Sequence, residues 1–118
     1  MTLTTKTISD QFSSCPQLTV DQVAEASAAG FKTIINNRPD GEGGAEQPSS
    51  EEIRQAAEAN GLQYVHIPVV PGQLTYAQVD ELAGLLPSLP MPILGFCKLG
   101  TRAVNIYQQA LAKHEQQE

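Results

Sequence analysis

Cysteine is scarce in this chain. There are two, Cys15 and Cys97. Two are too few for a disulfide framework; there is no Cys-x-x-C, and no Cys/His cluster at zinc-ligand spacing. The two histidines, His66 and His114, stand alone. Both cysteines therefore read as free thiols in a reducing compartment. Basic residues are few as well: seven Lys and Arg against thirteen Asp and Glu leave a formal charge of −6. Such a chain tracks a phosphate backbone poorly, so no nucleic-acid partner is expected. No apolar run reaches the roughly 18 residues of a membrane span, and Met1 to Asp10 lacks the apolar centre of a signal peptide. The expected location is the cytoplasm, with no membrane partner.

What is present suits one compact domain over residues 1–118, with 41% hydrophobic and 17% charged residues. Strand and helix patterns alternate. Gln11 to Ser14 reads as a short opening strand. Thr19 to Gln22 is a capping box, in which the hydroxyl and the Gln side chain satisfy first-turn amides, and the helix it opens stops near Gly30. Phe31 to Asn36 is rich in β-branched residues and reads as a strand. Asn37 to Pro48 is a long loop of Gly and Pro, the kind that often carries function. Ser49 to Glu52 is a second capping box, for a helix ending at Gly61. Leu62 to Ile67 is a strand stopped by Pro68. Thr75 to Gln78 is a third capping box, for a helix with Val79, Leu82, Leu85 and Leu86 on its apolar face. After Pro87 to Pro92, Ile93 to Phe96 fits a buried central strand. A last helix is expected over Ala103 to Lys113, with the Gln/Glu tail beyond it fraying. The pattern predicts an α/β fold: a mostly parallel sheet of four or five strands flanked by helices.

Ligands of open α/β sheets lie beyond the carboxyl ends of the strands. Cys97 stands there, followed by Lys98-Leu99-Gly100-Thr101-Arg102 and a helix. Successive N–H groups in such a loop form an anion-binding nest, and the helix start adds partial positive charge. Gly100 allows the tight backbone, Arg102 supplies a planar cation, and Lys98 a second charge. These surroundings favour the thiolate, the nucleophilic form of a cysteine. The competing reading is a buried structural cysteine beside an ordinary turn. Arg38 and Asp40, on the long loop, would share this edge of a parallel sheet: Arg38 to bind an anion, Asp40 to orient Arg102 or act as an acid. Alternatively, Asp40-Gly41 makes a turn and Arg38 a surface ion pair. His66 reads as structural and Cys15 as a bystander.

Tyrosine and dual-specificity phosphatases carry Cys-x5-Arg, and rhodanese-type sulfurtransferases a loop one residue shorter. The spacing here is Cys-x4-Arg, which suits a sulfur atom on the cysteine better than a phosphoryl group. The stretch from Gly30 to Glu42, with Ile8 to Asp10, His66 to Val69 and Cys97 to Arg102, resembles the phosphatase-like domain of the beta-lactamase-hydrolase-like proteins. That resemblance implies a dual-specificity-phosphatase-like fold. It also implies sulfurtransferase activity, since family members occur alone or fused to a persulfide-oxidising metallo-hydrolase domain and several are regarded as sulfurtransferases. Family loops commonly read Cys-Arg-Ser-Gly-Thr-Arg-Ser, so Lys98, Leu99 and Ala103 depart from them, and Ala103 lacks the hydroxyl that would meet the sulfur. Ile67 to Gln73 also lacks the general-acid Asp of phosphatases, a loss of typically about 10²–10⁴-fold.

The expectation is a cofactor-free, metal-free sulfurtransferase in which Cys97 takes sulfur from thiosulfate or glutathione persulfide and passes it to sulfite, cyanide or a thiol. Arg102 would be catalytic with Cys97; Lys98, Leu99, Gly100, Thr101, Ala103, Arg38 and Asp40 would form the binding shell. A persulfide-generating partner enzyme and a homo-oligomer are both compatible with the sequence. The alternatives are a phosphatase working through a Cys97 phosphoenzyme, and a non-catalytic module that holds an anion or a partner protein.

Overall fold

The computed structural model describes residues 3 to 116. The strands are β1 (Lys6–Thr7), β2 (Phe12–Cys15), β3 (Thr33–Asn36), β4 (Gln63–His66) and β5 (Ile93–Phe96); the helices are α1 (Val20–Ala28), α2 (Ser50–Ala59), α3 (Tyr76–Leu85) and α4 (Thr101–Gln116). They form one sheet in the order β1-β2-β5-β3-β4. The four strands β2, β5, β3 and β4 run parallel, and β1 pairs antiparallel with β2 at the edge. The mostly parallel α/β sheet expected from the sequence is therefore present.

Alternation along the strands divides the core into two layers. Ile34, Leu94 and Phe96 pack with Val23 and Ala26 of α1 and with Ile53 and Ala57 of α2. Ile35 and Ile93 pack on the other face with Val79 and Leu82 of α3 and Ile106 and Tyr107 of α4. Each adjacent pair thus faces opposite sides, which is why β3 and β5 are buried along their whole length. Gly95 lets the second layer close: a Cβ there would lie 2.7 Å from Cζ of Phe12, whose ring stacks on Tyr107 with centroids 3.9 Å apart.

All three capping boxes form, at Thr19, Ser49 and Thr75. Gly30 and Gly61, with φ of 101° and 74°, end α1 and α2 as expected. Two expectations for α4 fail. The helix starts at Thr101, inside the cysteine loop, because Gly100 O already accepts from the N–H of Val104 at 3.2 Å. It also continues past Lys113 to Gln116; residues 117 and 118 lie outside the described part. The strand β1, two exposed residues long, carries no periodicity from which to read it. Among the described residues, no helix is long and apolar enough to cross a membrane.

Candidate active site

Parallel register brings four chain segments to one edge of the sheet. Cys15, Asn36, His66 and Phe96 lie side by side in adjacent strands, so the segments that follow them meet there. Cys97 follows β5. Its side chain is buried, and its Sγ accepts the N–H of Gly100 at 3.0 Å. That bond needs the loop to curl back on itself, which Gly100 permits with φ +99°. The loop is tied to its neighbour by the N–H of Gln17 donating to Lys98 O at 3.2 Å.

Cys97, Lys98, Leu99, Thr101, Arg102 and Asn105 line a cavity of about 400 Å³, closed on one side by Pro71 and Gly72. The lining carries two cations and no carboxylate. Leu99 is 73% exposed and stands at the mouth. Gly100 joins the site through its N–H and not as lining.

Arg102 leaves the first turn of α4 and meets a carboxylate that the sequence gives no role. Its Nη2 donates to Glu42 Oε1 at 2.7 Å, its Nη1 to Glu42 Oε2 at 2.8 Å, and Nη1 also to Val69 O at 2.8 Å. Glu42 in turn accepts from Nε of Arg38 at 2.9 Å. Hydrogen bonds from Arg102, then from Arg38, hold the Glu42 carboxyl at about 2, well below its ordinary 4.5. Glu42 is thus an ionised clamp between two guanidinium groups. It is not available as a proton donor near neutral pH.

Arg38 is 7% exposed. Besides Glu42 it donates to Oε1 of Gln17 at 3.1 Å. Gly43 makes room for it: a Cβ there would lie 2.7 Å from Nη2. Arg38 therefore supports Glu42 from behind and does not line the cavity, in contrast to its expected contact with substrate.

Two further expectations are corrected. Asp40 neither reaches Arg102 nor faces the cavity; its Oδ1 accepts the N–H of Ser50 at 2.7 Å, at the start of α2. Capping an orphan amide satisfies that carboxylate locally. Ala103 is buried in the α3/α4 core layer beneath Gly95, so its missing hydroxyl is filled by packing, not substrate. His66 keeps the structural role expected of it, its Nε2 lying 2.9 Å from Arg38 O. Cys15 is buried, and burial, then Cys97 nearby, push its thiol from 9.0 up to about 12.

Sequence reasoning missed Asn105 and the role of Glu42. Asn105 is three residues after Arg102, so helical spacing puts both on one side, a signal that the sequence does contain. For Glu42 the only local signal is its spacing of four from Arg38.

The family described as "Beta-lactamase hydrolase-like protein, phosphatase-like domain" matches residues 4–113. This chain belongs to that family. The family member from Agrobacterium fabrum, a beta-lactamase hydrolase-like protein, is 41% identical over 81 residues, which is 69% of this chain and 19% of that protein. The chain thus spans about a fifth of that relative's length. A crystal structure of a candidate phosphatase from Neisseria meningitidis superposes with a TM-score of 0.78 at 30% identity, covering 86% of this chain and 72% of that one. The P. aeruginosa protein TpbA superposes at 0.58 with 17% identity, over 83% of this chain and 55% of its own, and shows a shared fold. The expected phosphatase-like fold is therefore present. None of these descriptions names sulfur transfer, and the comparisons favour the phosphatase-like alternative over the sulfurtransferase expectation.

Proposed function

We propose that this domain is a cysteine-dependent phosphatase acting on aryl phosphates, of which phosphotyrosine is the natural class. The observation that carries the reading is Cys97 Sγ in a cavity lined by Lys98 and Arg102, with a loop N–H already aimed at the sulfur. A dianionic phosphoryl group satisfies both cations and the loop amides. Sγ attacks phosphorus; an S–P bond forms and the P–O bond to the leaving group breaks. Water then attacks phosphorus, the S–P bond breaks, phosphate leaves, and its proton passes to solvent. Two half-reactions through a covalent intermediate follow.

The leaving group sets the substrate. No carboxylate lines the cavity, Glu42 is held ionised and Asp40 caps α2. A phenol, with a pKa of about 10, departs without a proton donor far more readily than an alkyl alcohol. Release of nitrophenolate from an aryl phosphate, lost in Cys97→Ser, is the expected result, with phosphoserine peptides left intact. Equal turnover by Cys97→Ser would overturn the reading.

The same lack of an acid favours one second reading. Sulfur transfer from thiosulfate or a persulfide has a good leaving group and needs no proton donor. Its mark is a gain of about 32 Da, one sulfur, on intact protein after donor treatment, removed by sulfite and absent in Cys97→Ser.

A further inference from the structure

The cavity at Cys97 does not end at Arg102. A second depression, of about 270 Å³, shares Gly72, Arg102 and Asn105 with it and adds Val69, Leu74 and Gln109. A third, of about 470 Å³, shares Leu74 and Gln109 with the second and reaches Thr75, Tyr76 and Val79. The shared residues make one groove running along α4 from the cysteine loop to the start of α3.

We infer that this groove holds the residues next to a phosphotyrosine in an extended peptide, so that the substrate is a phosphorylated protein segment and not a small metabolite. The identity of the anchored group rests on the phosphatase reading above. Three features of the groove carry the inference.

Its length fits. Gln109 lies seven positions after Arg102 on the helix, about 10 Å at 1.5 Å per residue, or about three residues of extended chain at 3.3 Å each.

Its chemistry fits. Asn105 and Gln109 are exposed and four residues apart, on one side of α4. Each amide offers donors and an acceptor, the pair of functions that every peptide unit presents. At the far end the Tyr76 ring is 88% exposed beside Leu74 and Val79, a surface for one apolar side chain.

Its charge excludes the competing ligands. Beyond Arg102 the lining holds no Lys, Arg, His, Asp or Glu. A nucleotide or a polyphosphate would leave its further anionic groups unpaired there, and a small sulfur anion would leave the groove empty.

Binding to Cys97→Ser, measured by calorimetry, tests this apart from turnover. The probes are free phosphotyrosine and phosphotyrosine peptides extended by three uncharged residues on the amino side, the carboxyl side or both. At least one extended peptide is expected to bind about tenfold more tightly than free phosphotyrosine, one decade being 1.4 kcal/mol. Adding Tyr76→Ala and Gln109→Ala is expected to remove that advantage while free phosphotyrosine binds as before. Equal affinity for all probes overturns the groove, even if aryl phosphates are hydrolysed. An extended peptide that binds better through Tyr76 and Gln109 sustains it, even if the wild type hydrolyses none of them and the phosphatase reading falls.

Discussion

Glu42 grips Arg102 with both carboxylate oxygens, at 2.7 and 2.8 Å, across 60 positions of sequence. The pair fixes the cation that faces the cysteine cavity, and Arg38 fixes the pair from behind. Because the guanidinium fork is planar, this grip sets orientation as well as charge. Glu42→Gln keeps the shape and weakens the hold. A fall in kcat/KM on aryl phosphates of about tenfold or more is expected, 1.36 kcal/mol of lost transition-state stabilisation being one decade. Unaltered kinetics would assign Glu42 to stability alone.

The same residue makes stability depend on acid. The folded carboxyl sits at about 2 against an ordinary 4.5. A depressed value means that its contribution is fully present above the unfolded value and is lost as pH falls through the folded one. Wild type should therefore lose stability relative to Glu42→Gln between pH 4.5 and about 2. Denaturant midpoints of the two proteins, followed across that window, check it; parallel curves would contradict the depressed value.

Asp40 separates a structural carboxylate from a catalytic one. Its bond to the N–H of Ser50 resembles a helix cap, and losing a cap costs about 0.5–2 kcal/mol. Asp40→Ala should be destabilised by that amount and keep its kcat. A general acid would instead show a loss of about 10²–10⁴-fold, so thermal melts beside rates decide between them.

Gly100 carries the loop geometry. Its φ is +99°, and a Cβ at this position would lie 3.3 Å from Cys15 O, so Gly100→Ala is strained in both conformation and space. It should lose activity together with about 1–3 kcal/mol of stability. A fully active, fully stable variant would mean that the loop does not need the turn that aims its N–H at Cys97.

The two thiols should react differently. Cys15 is buried and pushed up to about 12, so it stays protonated at neutral pH. Alkylation of the native protein is expected to label Cys97 alone, with phosphate or vanadate slowing the reaction. Labelling at Cys15 on tryptic mapping would contradict its raised value.

Local interactions explain what is legible in the sequence. The capping boxes at Thr19, Ser49 and Thr75 use side chains within three residues of the amides they satisfy, so the helix starts can be read directly. The β-branched and apolar stretches of β3 and β5 need only their own composition. The cysteine loop is visible because its parts are contiguous. Its helix begins two residues before the expected Ala103, since Gly100, a loop glycine by its pattern, also supplies the first helical carbonyl. Ala103 reads as a site residue by its place in the loop pattern, whereas its methyl packs against Gly95 beside the Phe12 ring in the core.

The sequence by itself determined the order of the helices and of the four parallel strands, and marked Cys97 as the candidate nucleophile, because propensity, capping and spacing act over a few residues. Only the tertiary structure decided which charges meet. Arg38, Asp40 and Glu42 share one loop and one kind of chemistry, yet Asp40 turns to α2 while Arg38 and Glu42 turn to Arg102. Which way each side chain points depends on how parallel register stacks strand ends that are far apart in the chain, and no local signal encodes that.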